Sequence, residues 1–367
     1  MSEQYSRTAK GGSHSRSIWC TLASQVRVAM GIFWDAFLTL LRPIRALIGG
    51  MAGGTSSTIT LQEGTRVRYS NVPIAEGGFS FVYRARHAST GEHYALKKIL
   101  CQVDEQRELA LAEMRAHREF THPNLMPLLD CSIVSVPQGE AAFMLFPFMD
   151  RSLRVLIDAR VLGEGPPILE VEALALFIGV CRGVSALHQH QPSWAHRDIK
   201  PENVMLRRDG TPVLMDLGSV APAYRRVEGR TDALAVQDEA SRHSTIPFRA
   251  PELFDVASDA VLDQRTDVWS LGCVLYALRY GFSPFECEFA GNGGVRVVEC
   301  SFLRVIGPVN FPPDGRVSQR YQELVMFALE QDPLKRPFVE QVLDRAVDLA
   351  GLEGRPGFVS IDMTRAG

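Results

Sequence analysis

The sequence predicts an α+β protein of two unequal lobes. A small antiparallel-sheet lobe with one helix comes first, a larger helical lobe follows, and a cleft between them can hold a ligand. Three observations carry this prediction. Gly64 to Leu100 is strand-like and is broken by the turn signals Glu76-Gly77-Gly78 and Ser89-Thr90-Gly91-Glu92. Asp104 to Phe120 returns its apolar residues at helical spacing until His122-Pro123-Asn124 ends the run. Beyond Glu170 the pattern is mostly helical.

Taken in order, residues 1–60 read as an extension. Their opening is rich in Ser, Gly and Lys/Arg, and an apolar segment runs from Val28 to about Ile48. Gly49 to Thr58 is a Gly/Ser/Thr-rich linker, expected to be flexible. The small lobe spans about 64–147 and includes the short apolar strand Phe143–Phe148. The large lobe spans about 150–349, with helices over Glu170–His190, Asp267–Tyr280, Gln319–Gln331 and Phe338–Leu349. Residues 350–367 form a short tail.

A length of 367 residues exceeds one typical core, which suits one large two-lobed domain or two smaller ones. Hydrophobic content of 46% and charged content of 22% are those of a soluble globular protein. Charge is uneven. Residues 1–60 carry six basic and two acidic groups, leaving 33 basic against 40 acidic groups in the rest. So acidic a body argues against nucleic acid as the main partner. The seven cysteines are scattered, odd in number and form no CxxC pair, a pattern of reduced thiols in a cytoplasmic setting rather than of disulfides or zinc.

The chemistry concentrates in His196-Arg197-Asp198-Ile199-Lys200-Pro201-Glu202-Asn203. Asp198 is placed to accept the proton of an incoming hydroxyl, and Asn203 to hold a metal on ATP. Ala75-Glu76-Gly77-Gly78-Phe79-Ser80-Phe81-Val82 lies between two strand-like runs. It is either a plain hairpin or a loop whose backbone N–H groups approach phosphates. Lys97 sits in the apolar strand Tyr94-Ala95-Leu96-Lys97 and needs an anionic partner unless it reaches solvent. Glu113 on the next helix can supply the carboxylate. Asp216, 18 residues after Asp198 and behind the strand-like Pro212–Met215, is the second candidate metal ligand. Glu252 in Ala250-Pro251-Glu252 has a candidate buried partner in Arg336, and Asp267 is placed to accept backbone N–H groups of the 196–203 loop.

In this order, Lys97, Glu113, Asp198, Asn203, Asp216, Glu252, Asp267 and Arg336 resemble the eukaryotic protein kinase family over about Gly64 to Leu349. Finer stretches resemble the Numb-associated kinase group, in particular its Golgi-associated, acylated serine/threonine branch. They include Leu214-Met215-Asp216-Leu217-Gly218-Ser219, Arg249-Ala250-Pro251-Glu252-Leu253-Phe254 and Asp263–Tyr276. The resemblance implies a bilobal protein-kinase fold, ATP with Mg²⁺ or Mn²⁺, and protein Ser/Thr hydroxyls as acceptors. It also implies an additional helix at roughly Asp255–Leu262 and a role in secretory or vesicle traffic. Nucleotide contacts are implied at Ala75, Glu76, Gly77, Gly78, Phe79, Ser80, Val82 and Ala95, besides Lys97 and Glu113. Phe146 resembles the gatekeeper, followed by hinge residues Phe148 and Met149, while Pro147 has no N–H to donate. Lys200 resembles the lysine that reaches the γ-phosphate, and Thr245 the residue that ties the substrate loop to Asp198. Arg197 is expected to pair with a phosphorylated Thr231, Ser241 or Ser244, or else with a carboxylate. A kinase-shaped scaffold without phosphotransfer is the alternative, and rests on Ala75, Ser80 and Leu217 replacing the more usual residues.

The subgroup is acylated at an N-terminal Met-Gly, whereas this chain begins Met1-Ser2, so myristoylation does not apply to it as written. Cys20 remains either a palmitoylation site or a spare thiol. The apolar run Val28–Leu41 is 14 residues, short of the ~20 of a spanning helix. On a helical wheel Arg27, Asp35, Thr39 and Arg42 cluster opposite Phe33, Phe37, Leu40 and Leu41. Residues 27–48 are therefore expected to lie on a membrane surface, Golgi or endomembrane by resemblance. A mitochondrial transit peptide is the rival, because Glu3 is the sole acid in the first 34 residues.

Overall fold

The computed structural model describes residues 56–77, 79–137, 139–289, 295–312, 315 and 317–351. The segment 27–48 and Cys20 lie outside the described residues, as does Gly78. The described residues from Ser56 form one compact unit.

Its first part is an antiparallel sheet of seven strands: β1 (Ser56–Thr60), β2 (Arg66–Ser70), β3 (Ala75–Gly77), β4 (Ser80–His87), β5 (His93–Cys101), β6 (Asp130–Val136) and β7 (Gly139–Pro147). The order is β1-β2-β4-β5-β7-β6, with β3 paired to the opening end of β4. Register here decides chemistry. Val82 lies opposite Lys97, and Ala95 opposite Phe146. Side chains two apart share a face, so Val82 and Arg84 on β4 point the same way as Ala95 and Lys97 on β5.

Two sequence expectations are corrected. Ser56–Thr58 belongs to β1 rather than to a flexible linker, and the compact unit starts at Ser56 instead of about 64. The cause is pairing and burial: Ser57 to Thr60 match Tyr69 to Arg66, Ile59 packs on the small-lobe core, and Leu61 is buried. The helix expected over Asp255–Leu262 is absent, and a helix over Gly229–His243 precedes Ala250-Pro251-Glu252 instead. In 255–262 the backbone turns to serve as a partner. Ser258 and Ala260 carbonyls accept from Gly229 and Val227 N–H, and Val261-Leu262 pairs with Arg225-Arg226.

Eight helices are described: α1 (Asp104–Glu119), α2 (Leu153–Val161), α3 (Glu170–His188), α4 (Gly229–His243), α5 (Arg265–Tyr280), α6 (Phe302–Val305), α7 (Gln319–Ala328) and α8 (Val339–Leu349). In α1, Asp104 and Glu105 occupy the first turn and His117 and Arg118 the last, which suits the helix dipole. Helix α3 is long and apolar enough to cross a membrane, but 72% of that window is buried as the central helix of the large lobe. Gly183 explains its close seating, because a Cβ there would come within 2.7 Å of the Asn124 carbonyl. Helix α5 is buried almost throughout and ends at Gly281 with φ 92°.

The large-lobe core wraps Arg336, which is 1% exposed. Its guanidinium grips both Glu252 oxygens at 2.7 and 3.0 Å, donates to the Glu330 and Arg265 carbonyls, and stacks 5.1 Å from the Trp269 ring. With five donors in a planar fork, arginine alone satisfies such a set.

Candidate active site

Lys97 projects from β5 toward α1, where its Nζ donates to Glu113 at 2.6 Å and to Asp216 at 3.1 Å. Burial works against the charge on Lys97, but Glu113 and Asp216 outweigh it and raise its pKa. Burial likewise pushes Asp216 upward, and Lys97 reverses this, leaving the carboxyl below its usual value. Burial raises Glu113 against the pull of Lys97. The lysine is thus a firmly held cation that ties the small lobe to the large-lobe segment starting at Asp216.

Asp216 adopts φ 63°, a left-handed conformation that few residues other than glycine adopt and that aspartate tolerates better than most. Leu217 follows, 1% exposed and anchored in the large-lobe core. Gly218 packs close, since a Cβ there would sit 3.3 Å from Glu113 Oε2.

The loop 196–203 is pinned from below. Asp267, fully buried on α5, accepts the His196 and Arg197 N–H groups at 2.6 and 2.8 Å and faces His188 Nε2 at 3.0 Å. Burial would raise its carboxyl, yet the His188 contact and the surrounding donors hold it below the ordinary range. This grip explains how Arg197 sustains φ 72° and delivers Asp198 into the cleft.

Asp198 is the most densely bonded carboxylate of the cleft. Oδ1 accepts from the Thr245 N–H at 3.1 Å and its hydroxyl at 2.7 Å, while Oδ2 accepts from Lys200 Nζ at 2.7 Å and Asn203 Nδ2 at 3.0 Å. Lys200 also donates to Thr245 Oγ1 at 2.7 Å. The Asn203 amide nitrogen donates further to the Asp198 carbonyl at 2.9 Å, which leaves its oxygen as the outward acceptor. An ionised Asp216 and that amide oxygen form a sparse set of hard donors. They fit a small divalent cation that keeps waters and phosphate oxygens as its remaining ligands.

The sequence-expected residues sort as follows. Lys97, Glu113 and Asp216 form one bonded set, and Asp198, Lys200, Asn203 and Thr245 form a second. Val82 and Ala95 share the cleft face of the sheet, and Ala75 pairs with Val82. Glu76 and Gly77 lie in β3, while Phe79 at the loop tip is 59% exposed and Ser80 opens β4. Phe146 is buried at the back of the cleft, and Pro147, Phe148 and Met149 continue from it. Arg197 meets a carboxylate, that of Glu239 on α4, at 2.6 Å.

Three participants escaped the sequence reading. Arg84 lies 4.4 Å over the Phe148 ring and 3.7 Å from Asp150, clasping the hinge from the sheet. Its position two residues after Val82 was the available signal. Buried His117, four residues after Glu113, packs its ring tilted at 56° and 4.9 Å from Phe146, and donates from Nδ1 to the Met126 carbonyl at 3.0 Å. Burial drives its pKa down to about 4, so the ring is neutral. Helical spacing from Glu113 marked it. Glu239 had no signal, because its helix was not predicted.

Two lobes closed over a lysine–carboxylate pair and a pinned Asp198 define a nucleotide-dependent phosphotransferase, and a family model described as protein kinase domain matches residues 70–347. The chain belongs to the protein kinase family, which uses ATP with a divalent metal ion. Serine/threonine-protein kinase 16 of Rattus norvegicus is 40% identical over 272 residues, covering 74% of this chain and 87% of that protein. The Homo sapiens protein of the same name is 39% identical over the same coverage. A probable serine/threonine-protein kinase of Dictyostelium discoideum is 33% identical, covering 76% of this chain and 93% of its own length.

Proposed function

We propose that this chain transfers the γ-phosphate of ATP to serine and threonine hydroxyls of proteins, with Mg²⁺ as the metal. The observation that carries the reading is the Asp198 carboxylate, whose two oxygens Thr245 and Lys200 hold one each while bonding to each other. Thr245 belongs to the loop that leads into Ala250-Pro251-Glu252, so a peptide laid along this loop brings its hydroxyl to Asp198.

The chain's own residues supply position and charge. Lys97, held by Glu113, is placed to meet the α- and β-phosphates. Lys200 is placed to meet the transferring group, and Asp198 aligns the acceptor hydroxyl and takes its proton. Asp216 and Asn203 would hold Mg²⁺, which when bound neutralises charge on the β- and γ-phosphates. The scaffold reading has less support, because Ala75, Ser80 and Leu217 leave these side chains assembled. Incubation with Mg-ATP and a mixed protein substrate should label phosphoserine and phosphothreonine, with no phosphotyrosine. Labelling confined to tyrosine, or none, would reject this assignment.

Residues 27–48 are proposed to tether the kinase to a Golgi or endomembrane surface, consistent with the Numb-associated resemblance and a role in vesicle traffic. Removing residues 1–50 should shift a tagged protein from the membrane pellet to the soluble fraction. An unchanged pellet fraction rejects the tether, and mitochondrial import of the full chain would favour the transit-peptide reading.

A further inference from the structure

The guanidinium of Arg197, adjacent to Asp198, is occupied from within the chain. Its Nη1 donates to Glu239 Oε1 at 2.6 Å and its Nη2 to the Pro222 carbonyl at 3.1 Å. The other Glu239 oxygen accepts from Arg225 Nη1 at 2.8 Å, and Arg225 Nη2 reaches Asp232 at 2.7 Å. Asp232 in turn accepts the Glu228 N–H at 3.0 Å. Two arginines and two carboxylates therefore close a half-buried chain of zero net charge, with Glu239 at its centre.

The helix that carries Glu239 is secured at both ends. Gly229 N–H bonds to Ser258, and Arg225-Arg226 pairs with Val261-Leu262. At the other end Arg249 donates from Nε to Ser244 Oγ and from Nη2 to the Ser244 carbonyl. A phosphate would normally be the group that gathers such arginines, since it offers two charges and three acceptors. Here both guanidiniums already hold carboxylates, and an arriving phosphate would face Glu239. The Ser244 hydroxyl is also committed, donating to the Ala240 carbonyl at 2.7 Å.

We propose, on the basis of the phosphotransfer reading above, that Glu239 is a positioning residue that performs the work of an activating phosphate. Acting through Arg197, it fixes the catalytic loop and the 229–245 segment, so turnover needs no modification of Thr231, Ser241 or Ser244. One carboxylate carries less charge than phosphate, and Asp232 makes up the difference by holding Arg225 in place.

The test uses the full chain stripped by a protein phosphatase, beside Glu239→Gln, Glu239→Asp, Arg225→Gln and Asp198→Asn. The stripped wild type should keep its kcat within about two-fold. Glu239→Gln should lose roughly ten-fold in kcat, the scale of a small misplacement of catalytic groups, with KM for ATP nearly unchanged. Glu239→Asp should recover part of the loss, and Arg225→Gln should show a smaller loss of the same kind if the glutamine variant fails to fold. The inference is overturned if stripping costs ten-fold or more in activity, or if folded Glu239→Gln or Arg225→Gln retains wild-type kcat. Wild-type protein that incorporates no more phosphate than Asp198→Asn would instead defeat the phosphotransfer reading itself.

Discussion

Asp198→Asn is expected to lower turnover by roughly 10²–10⁴ while leaving ATP affinity within about two-fold. The carboxylate has four donors converging on it, two to each oxygen. An amide presents N–H₂ at one of those positions, so either the Thr245 pair or the Lys200–Asn203 pair faces a donor instead of an acceptor. Alignment is lost together with the base. The hydrogen bonds of Lys97, Glu113 and Asp216 run among themselves rather than to the Asp198 side chain, so nucleotide binding should survive. The measurement is steady-state phosphotransfer beside equilibrium nucleotide binding, and an unchanged kcat would remove Asp198 from the chemistry.

Lys97→Met is expected to reduce kcat/KM at least 10²-fold and to alter the pH dependence of stability. Removing the lysine leaves Glu113, and with it the more exposed Asp216, uncompensated, and a buried charge left unpaired in this way costs about 3–5 kcal/mol if it stays charged. Glu113 can escape part of that cost by taking a proton, since burial already raises its pKa and Lys97 is what resists the rise. A group whose pKa is raised on folding adds stability below its unfolded pKa, and that stability is lost as pH climbs through the folded value. The variant should therefore melt closest to wild type near pH 5 and fall progressively behind it toward pH 8. Parallel melting curves at the two pH values would show that Glu113 gains no proton when Lys97 is gone.

What the sequence made legible was the chemistry of charged residues in a fixed order. A lysine in an apolar strand requires a carboxylate, and Glu113 sits at helical spacing in the next element. The same reasoning paired Glu252 with Arg336 and placed Asp267 under the catalytic loop. Short elements were less legible. Leu153–Val161 carries three arginine or aspartate interruptions and gave no clear period, although Ser152 caps it by accepting from Val155 N–H. The helix over Gly229–His243 was not anticipated, and the one the resemblance implied at Asp255–Leu262 is not formed, because Ser258 and Ala260 give their carbonyls to the neighbouring segment, a tertiary bond pattern with no local periodicity. Glu239 was invisible for the same reason. Its partners stand 42 and 14 residues away and meet it only after the segment has folded back.

The seating of Leu217 bears on which small molecules this cleft can accept. Compounds that need the Asp216–Gly218 turn swung outward must first pull a fully enclosed leucine from the large-lobe interior. Re-exposing such a side chain costs about 1.5–3 kcal/mol, which is roughly a ten- to hundred-fold handicap in affinity. Inhibitors that take the turn in its inward pose avoid that handicap, and they are expected to bind this cleft more tightly than those that need it displaced.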